Sequence, residues 1–243
     1  MQTDRLRSEA FGKFWTEHTS DRMTNPAQAG RNIPEPVGSE ALAPPLLGTA
    51  SGVVLDIGPG TGTQLPFLTQ PAIIAIYWAE PCRALHSALR QKAVSQGISD
   101  RYHILPSGIA VTDLLPALKA TKTGVMDKYE RDPSQGIFDT IICRSIQDLY
   151  DLLKPGGRLL VTEHVVNPWR SAKGSVIGRL AQAVYQILGW SWFMGDCRLD
   201  RNTERALQIA AEKDGGWEVF DLETSFEQSP LPYISGTLVK KML

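Results

Sequence analysis

Apolar residues change their period part-way along this chain. Between residues 4 and 19, Leu6, Ala10, Phe11, Phe14 and Trp15 recur at helical spacing and predict a helix. Residues 20–40, punctuated by Pro26, Pro34 and Pro36, read as an ordered but irregular crossing segment, and 40–47 as a short helix cut by Pro44-Pro45. From Gly52 onward, short aliphatic runs alternate with longer amphipathic ones. Strands are predicted at 52–57, 72–77, 102–105, 138–143, 158–164, 217–223 and 234–240. Helices are predicted at 63–68, 81–96, 111–120, a short 146–153, 175–188 and 202–214. Pro81 suits the first turn of its helix and Gly97 the end of it, while Asn202 suits an N-cap.

The runs Ile73-Ile74-Ala75-Ile76 and Ile141-Ile142 are apolar on both faces, as buried parallel strands are. Strands alternating with helices imply a parallel sheet covered on both sides. The last two strands are joined by 224–232, too short for a parallel crossover but enough for an antiparallel hairpin. The expected fold is therefore α/β and doubly wound: a mostly parallel, seven-stranded sheet of five parallel strands with a C-terminal antiparallel hairpin at one edge. The expected division is a helical and irregular cap over 1–50 and one large domain over 51–243.

Composition narrows the function classes. The 25 lysines and arginines nearly cancel the 26 aspartates and glutamates of the 243 residues, which argues against a nucleic-acid partner. Three cysteines, Cys82, Cys143 and Cys197, with a polar N-terminus, read as reduced and point to the cytoplasm. No apolar run approaches the roughly 20 residues that cross a bilayer. The nearest, 176–194, is interrupted by Arg179, Gln182 and Gln186. It reads as a core-facing helix followed by an aromatic turn, with a second reading in which Trp190 to Met194 line an apolar pocket for a flat ligand. Residues 121–136 read as a polar surface loop.

Candidate chemistry concentrates after the first strand. Asp56-Ile57-Gly58-Pro59-Gly60-Thr61-Gly62 places glycines at alternate positions, allowing a tight turn and close approach of a ligand. The dinucleotide fingerprint would want glycine where Thr63 stands, and the lysine of a phosphate-binding loop is absent. Asp56 precedes the loop, where a carboxylate holds a ligand's ammonium or the loop's own amides. Glu80 follows the second strand, 22 residues after Gly58, where a carboxylate accepts from ribose hydroxyls.

This loop with its partner acid resembles the class I S-adenosylmethionine-dependent methyltransferases. The resemblance extends to Ser107-Gly108-Ile109 after the third strand, to Phe138-Asp139-Thr140-Ile141-Ile142-Cys143, and to Leu152-Leu153-Lys154-Pro155-Gly156-Gly157-Arg158. It implies S-adenosylmethionine as cofactor, held by Asp56, Gly58, Pro59, Gly60, Gly62, Glu80, Pro81, Gly108, Ile109 and Cys143. Glu163-His164, with Cys197-Arg198-Leu199 and Arg201-Asn202-Thr203, is similar to a narrower group. That group comprises small fungal O-methyltransferases of pyrone polyketides and mammalian alkyl thiol methyltransferases. The implied partner is a small molecule, an aromatic or polyene hydroxyl compound of secondary metabolism, with no metal.

His164 reads either as the general base for the acceptor hydroxyl or as a structural residue. Cys197 reads as a buried structural thiol or else as a reactive one, and Asp196 and Arg198 as capping or pairing within their turn. Only residues 144–153 remain for the crossover after the fourth strand, fewer than the usual dozen. Either the crossover is shortened and the site opened, or a short stretch is missing from the sequence. Two further function classes stay open for that reason: a methyltransferase-like cyclase that holds its substrate without methyl transfer, and a catalytically silent binding protein.

Overall fold

The computed structural model describes residues 9–17, 38–143, 149–193 and 197–242. Its strands are β1 (Gly52–Ile57), β2 (Ile73–Ala79), β3 (Tyr102–Leu105), β4 (Phe138–Cys143), β5 (Leu153–His164), β6 (Val219–Ser225) and β7 (Tyr233–Val239). They form one sheet in the order β3-β2-β1-β4-β5-β7-β6. The first five strands are parallel, and β7 runs antiparallel between β5 and β6. The predicted fold class and edge hairpin are what forms. Polarity explains why the hairpin's first strand lies outermost: β6 carries Asp221 and Glu223 and is mostly exposed, while β7 buries Ile234 and Leu238.

Alternation along each strand feeds two cores. Leu55, Ile57, Tyr77, Ile141, Leu159 and Val161 face a cluster completed by Leu114 and Leu118 of α4 (Val111–Ala120) and Leu207 of α8 (Thr203–Ala210). Val54, Ile76, Trp78, Ile142 and Leu160 face the other, closed by Leu47 of α2 (Ala43–Leu47) and Leu89 of α3 (His86–Ser95). Asp139 fastens the sheet's amino end, its carboxylate accepting from Val53 N and Lys154 Nζ, both at 2.8 Å. The lysine of the Lys154-Pro155-Gly156-Gly157 turn thus ties β5 to β4 and β1.

Several expected elements form differently. Of the helix 4–19, residues 9–17 are helical (α1) and the remainder lies outside the described residues, as do 20–37 of the crossing segment. Pro44-Pro45 do not cut a helix. They occupy the first turn of α2, where a missing N–H costs nothing. Residues 63–68 give only the 3₁₀ turn Leu65–Phe67 around Pro66. Pro81 is exposed and outside the helix. Cys82 N donates to Glu80 Oε1 (2.8 Å), and the helix begins properly only at His86, after a 3₁₀ turn.

Residues 121–136 are not merely a surface loop. They hold α5 (Asp127–Arg131) and contribute Met126, Val125 and Tyr129 to the core. β5 starts at Leu153, five residues before its predicted start, because Leu153 already pairs with Phe138; the register then shifts at the glycine turn. The crossover from β4 to β5 is therefore shorter than expected. Its described part holds only the 3₁₀ turn Tyr150–Leu152, and residues 144–148 lie outside the described set. Tyr150 in that turn is buried, edge-on to Trp217 with centroids 4.9 Å apart.

The largest departure is α6 (Val176–Ile187). Its apolar face points to solvent and its buried residues are Gly178 and Gln182, so the core-facing reading is wrong. Gln182 satisfies two backbone groups that no sheet pairs, accepting from Asn167 N (2.8 Å) and donating to Val165 O (2.9 Å). Buried amides that need partners outrank the apolar stripe in seating this helix.

Candidate active site

Consecutive strands leave the middle of the sheet in opposite directions, β1 toward β2 and β4 toward β5. Between β1 and β4 this opens a crevice at the strands' carboxyl ends, where open α/β sheets bind ligands. Asp56, the penultimate residue of β1, the loop 58–62, Glu80 after β2 and Ser107-Gly108-Ile109 after β3 all stand at these ends.

Two buried carboxyls set the electrostatics. Asp56 and Glu80 are 2% and 3% exposed. Both Glu80 oxygens are held by the chain: Gly60 N donates to Oε2 (3.1 Å) and Cys82 N to Oε1 (2.8 Å). His86 donates from Nε2 to the Glu80 carbonyl (2.8 Å) and fixes the turn behind it. Burial raises the Glu80 pKa from 4.5 to about 7, against the two backbone bonds, and the nearby Asp56 charge adds to the rise. Such a pair ionises together most readily beside a cation. The site therefore favours a positively charged ligand and disfavours a pyrophosphate.

The three glycines differ in their surroundings. All have positive φ, 64° at Gly58, 62° at Gly60 and 74° at Gly62. A side-chain carbon at Gly58 would meet nothing within 4 Å, and the same holds at Gly108. At Gly60 it would press on the indole nitrogen of Trp15, and at Gly62 it would lie 2.7 Å from Trp78 Cη2. Open space thus adjoins the loop at Gly58 and the third strand's turn at Gly108. The Ser107 hydroxyl beside that turn is buried without a hydrogen-bond partner. Free space, an orphaned hydroxyl and an acidic pair fit a nucleoside carrying a cationic tail.

Trp15 is a site residue that periodicity alone placed only on a helix. α1 lies across the glycine loop, with Trp15 on Gly60 and Gly12 against Cys82 Sγ, and Phe11 stacked on Trp15 at 5.8 Å. No sequence signal separates Trp15 from an ordinary core aromatic. Pro59 is buried in the loop, Pro81 is exposed beside Glu80, and Ile109 is half-buried against the core. Cys143, buried at the end of β4, lines a small cavity under α2 with Ala43, Leu47, Gln64 and Leu160.

His164 stands apart from this group. Cys143 pairs with Val161, so β5 carries His164 three residues, about 10 Å, beyond the row where β4 ends. Its ring lies 4.0 Å from that of Tyr233 and 6.4 Å, edge-on, from Trp190 of α7 (Trp190–Phe193), which stacks on Tyr185 at 5.9 Å. Of the residues 190–194, Trp190 is the one set beside His164, whereas Trp192 and Phe193 are exposed and Met194 lies outside the described residues.

Neighbouring Glu163 points to the other face, buried, with Arg201 Nη1 3.6 Å from its Oε1; burial lifts its pKa to about 7. Arg198 pairs with Asp200 at 3.0 Å and Asn202 caps α8 by accepting from Arg205 N; Cys197 is half-buried and not buried as expected, and Asp196 lies outside the described residues. Among the described residues no cluster of histidine, cysteine and acids fits a metal ion.

No family model matches the sequence, and no curated protein matches it. Solved structures do match in shape. The 4+2 cyclase SpnF aligns over 88% of this chain and 86% of its own, at 16% identity and a TM-score of 0.52. Geranyl diphosphate methyltransferase, solved with S-adenosylmethionine, aligns over 83% of this chain and 84% of its own, at 13% identity and a TM-score of 0.51. The chain has the Rossmann-like methyltransferase fold. At such identities the likeness is one of fold.

Proposed function

We propose that this protein is an S-adenosylmethionine-dependent methyltransferase acting on a hydroxyl of a small, flat, largely apolar molecule of the polyketide or pyrone kind. The observation that carries the reading is the buried Asp56–Glu80 pair beside open space at Gly58 and Gly108. Asp56 holds the ammonium of the amino-acid end, together with the loop Gly58–Pro59–Gly60–Gly62. Glu80 takes the ribose hydroxyls on lone pairs its two backbone bonds leave free, with Pro81 beside it. Ser107, Gly108 and Ile109 border the adenine, and Cys143 closes the floor. Bound S-adenosylmethionine supplies an electrophilic methyl group on a sulfonium.

His164, between Tyr233 and Trp190, accepts the acceptor's hydroxyl proton on a ring nitrogen, and the aromatic walls hold a conjugated acceptor flat and exclude water. His164→Ala is expected to lower turnover about 100-fold near pH 6 and less at pH 9, where the hydroxyl ionises unaided, with cofactor affinity within about twofold of wild type. Full activity of that variant across the range would remove the base from the mechanism.

Glu80 sets a pH dependence. Its pKa of about 7 lies above the ordinary 4.5, so the folded protein without ligand holds this proton more tightly than the unfolded chain. Stability from this group is then fully present below about 4.5 and declines as pH rises to about 7. A cationic ligand that hydrogen-bonds to the carboxylate reverses the preference. Cofactor affinity is therefore expected to rise with pH through 7, by up to about tenfold per unit on the acid side, with proton release. Calorimetry in buffers of different ionisation enthalpy reads both, and Glu80→Gln should flatten the profile. A wild-type affinity unchanged between pH 6 and 8 contradicts the assignment.

The short crossover between β4 and β5 favours a second reading, in which the same fold holds a polyene for cyclisation without methyl transfer. Titration with S-adenosylmethionine followed by mass spectrometry of hydroxy-pyrone, thiol and polyene incubations separates the two. A product heavier by one methylene unit supports methyl transfer. A cyclised isomer of unchanged mass supports the second reading, and a folded protein that binds no cofactor refutes the first.

A further inference from the structure

α6 is seated by its polar side. Gly178 packs so closely that a side-chain carbon there would lie 2.8 Å from Asn167 Nδ2 and 2.9 Å from the Ser229 carbonyl, and Gln182 is fully buried. The opposite side, carrying Ile177, Leu180, Val184, Ile187 and Leu188, faces solvent; Ile177 and Ile187 are 80% and 85% exposed. The surface continues past the helix onto exposed Trp192 and Phe193. Scattered exposed apolar side chains are ordinary, but a contiguous set of this size on one face marks an interaction site.

Charge identifies the partner. From residue 165 to 195 the chain carries no aspartate or glutamate, although it has 26 in its 243 residues, while Arg170, Lys173 and Arg179 lie in the same stretch. The carboxylate near Arg179 is Asp200, which is already paired with Arg198 at 3.0 Å. Exposed Trp169, under the Arg170 guanidinium at 4.9 Å, stands before the helix, and Trp192 stands after it. An apolar stripe, flanking cations and aromatic residues at both ends match a helix lying in the interface of an anionic bilayer. No helix among the described residues is long and apolar enough to cross one. Two copies of this chain paired face to face by a two-fold axis would instead bring their basic residues together.

We propose that the α6–α7 face docks on an anionic lipid surface. This proposal rests on that face and not on the methyl-transfer reading. It places Trp190, and hence the His164 side of the site, beside the lipid, where an apolar acceptor would be concentrated.

Sedimentation of the full chain with vesicles tests it, using phosphatidylcholine alone and with about one-third phosphatidylserine. Binding should be at least tenfold tighter to the anionic vesicles and weaken with salt. Arg170→Gln and Lys173→Gln should each reduce it about fivefold. Leu180→Asp with Val184→Asp should abolish it, while circular dichroism and cofactor binding stay as in wild type, since both side chains are exposed. The charge substitutions test the idea should that double variant not fold. Absent vesicle binding, or binding unaltered by these changes, overturns it. So does a wild-type dimer in light scattering that the Leu180/Val184 variant makes monomeric, since the face would then be covered by a second copy.

Discussion

Replacing Asp56 by Ala or by Asn is expected to weaken S-adenosylmethionine binding about 100-fold or more, with the fold intact. The side chain is buried at the end of a central strand, so a charge-assisted hydrogen bond to the ligand's ammonium forms away from bulk water. Loss of such a bond, with the ligand's cation left without its counter-charge, amounts to ~3 kcal/mol. Asn keeps the shape and removes the charge, so a loss as large as that for Ala identifies charge as the deciding property. The same change relieves the repulsion that helps raise Glu80. The Asn variant without ligand should therefore melt no lower than wild type at pH 8, and its Glu80 should titrate lower. Calorimetric titration and a melting curve check both halves. A cofactor affinity within threefold of wild type in Asp56→Asn would show that the acidic pair is not the cofactor's anchor.

What the sequence made legible follows from which interactions are local. The strands β1, β3 and β4 have their predicted bounds because each is a run of four to six residues set between turn residues, too short for a helix, so length and punctuation decide where period alone would not. The hairpin was legible from loop length alone. The glycine loop and its acid were legible because a tight turn and a carboxylate at the next strand's end leave fixed spacings. Three features were not. α6 has a strong helical period, but the period cannot say which side faces the protein. That was decided by the Val165 carbonyl and the Asn167 N–H, groups whose need for partners is a property of the folded chain. Trp15 looked like any helix aromatic, and only the folded chain sets it on Gly60. The prolines at 44 and 45 read as a break because a breaker and a helix start share the same residue.

The loop's glycines, alike in sequence, should separate under substitution. Gly62→Ala is expected to destabilise the protein by ~3 kcal/mol. About one of these comes from a non-glycine residue at φ 74°. The rest comes from forcing a methyl 2.7 Å from the ring of Trp78, which is fully buried and edge-on to Tyr102 with nowhere to move. For a chain of this length that lowers the melting temperature by about 6–12 °C. Gly58→Ala carries a similar backbone strain, at φ 64°, but its methyl enters open space, so its melting temperature should fall by only about 2–4 °C. Its cost falls instead on the ligand, because that space is where the amino-acid end of the cofactor would lie against the backbone. Affinity should drop at least tenfold in Gly58→Ala, whereas Gly62→Ala, held below its own melting point, should bind nearly as wild type does. Melting curves with and without S-adenosylmethionine measure both effects in one experiment. A Gly58→Ala protein still stabilised by the cofactor as strongly as wild type would mean that the ligand does not approach the loop there, and the site would have to be moved.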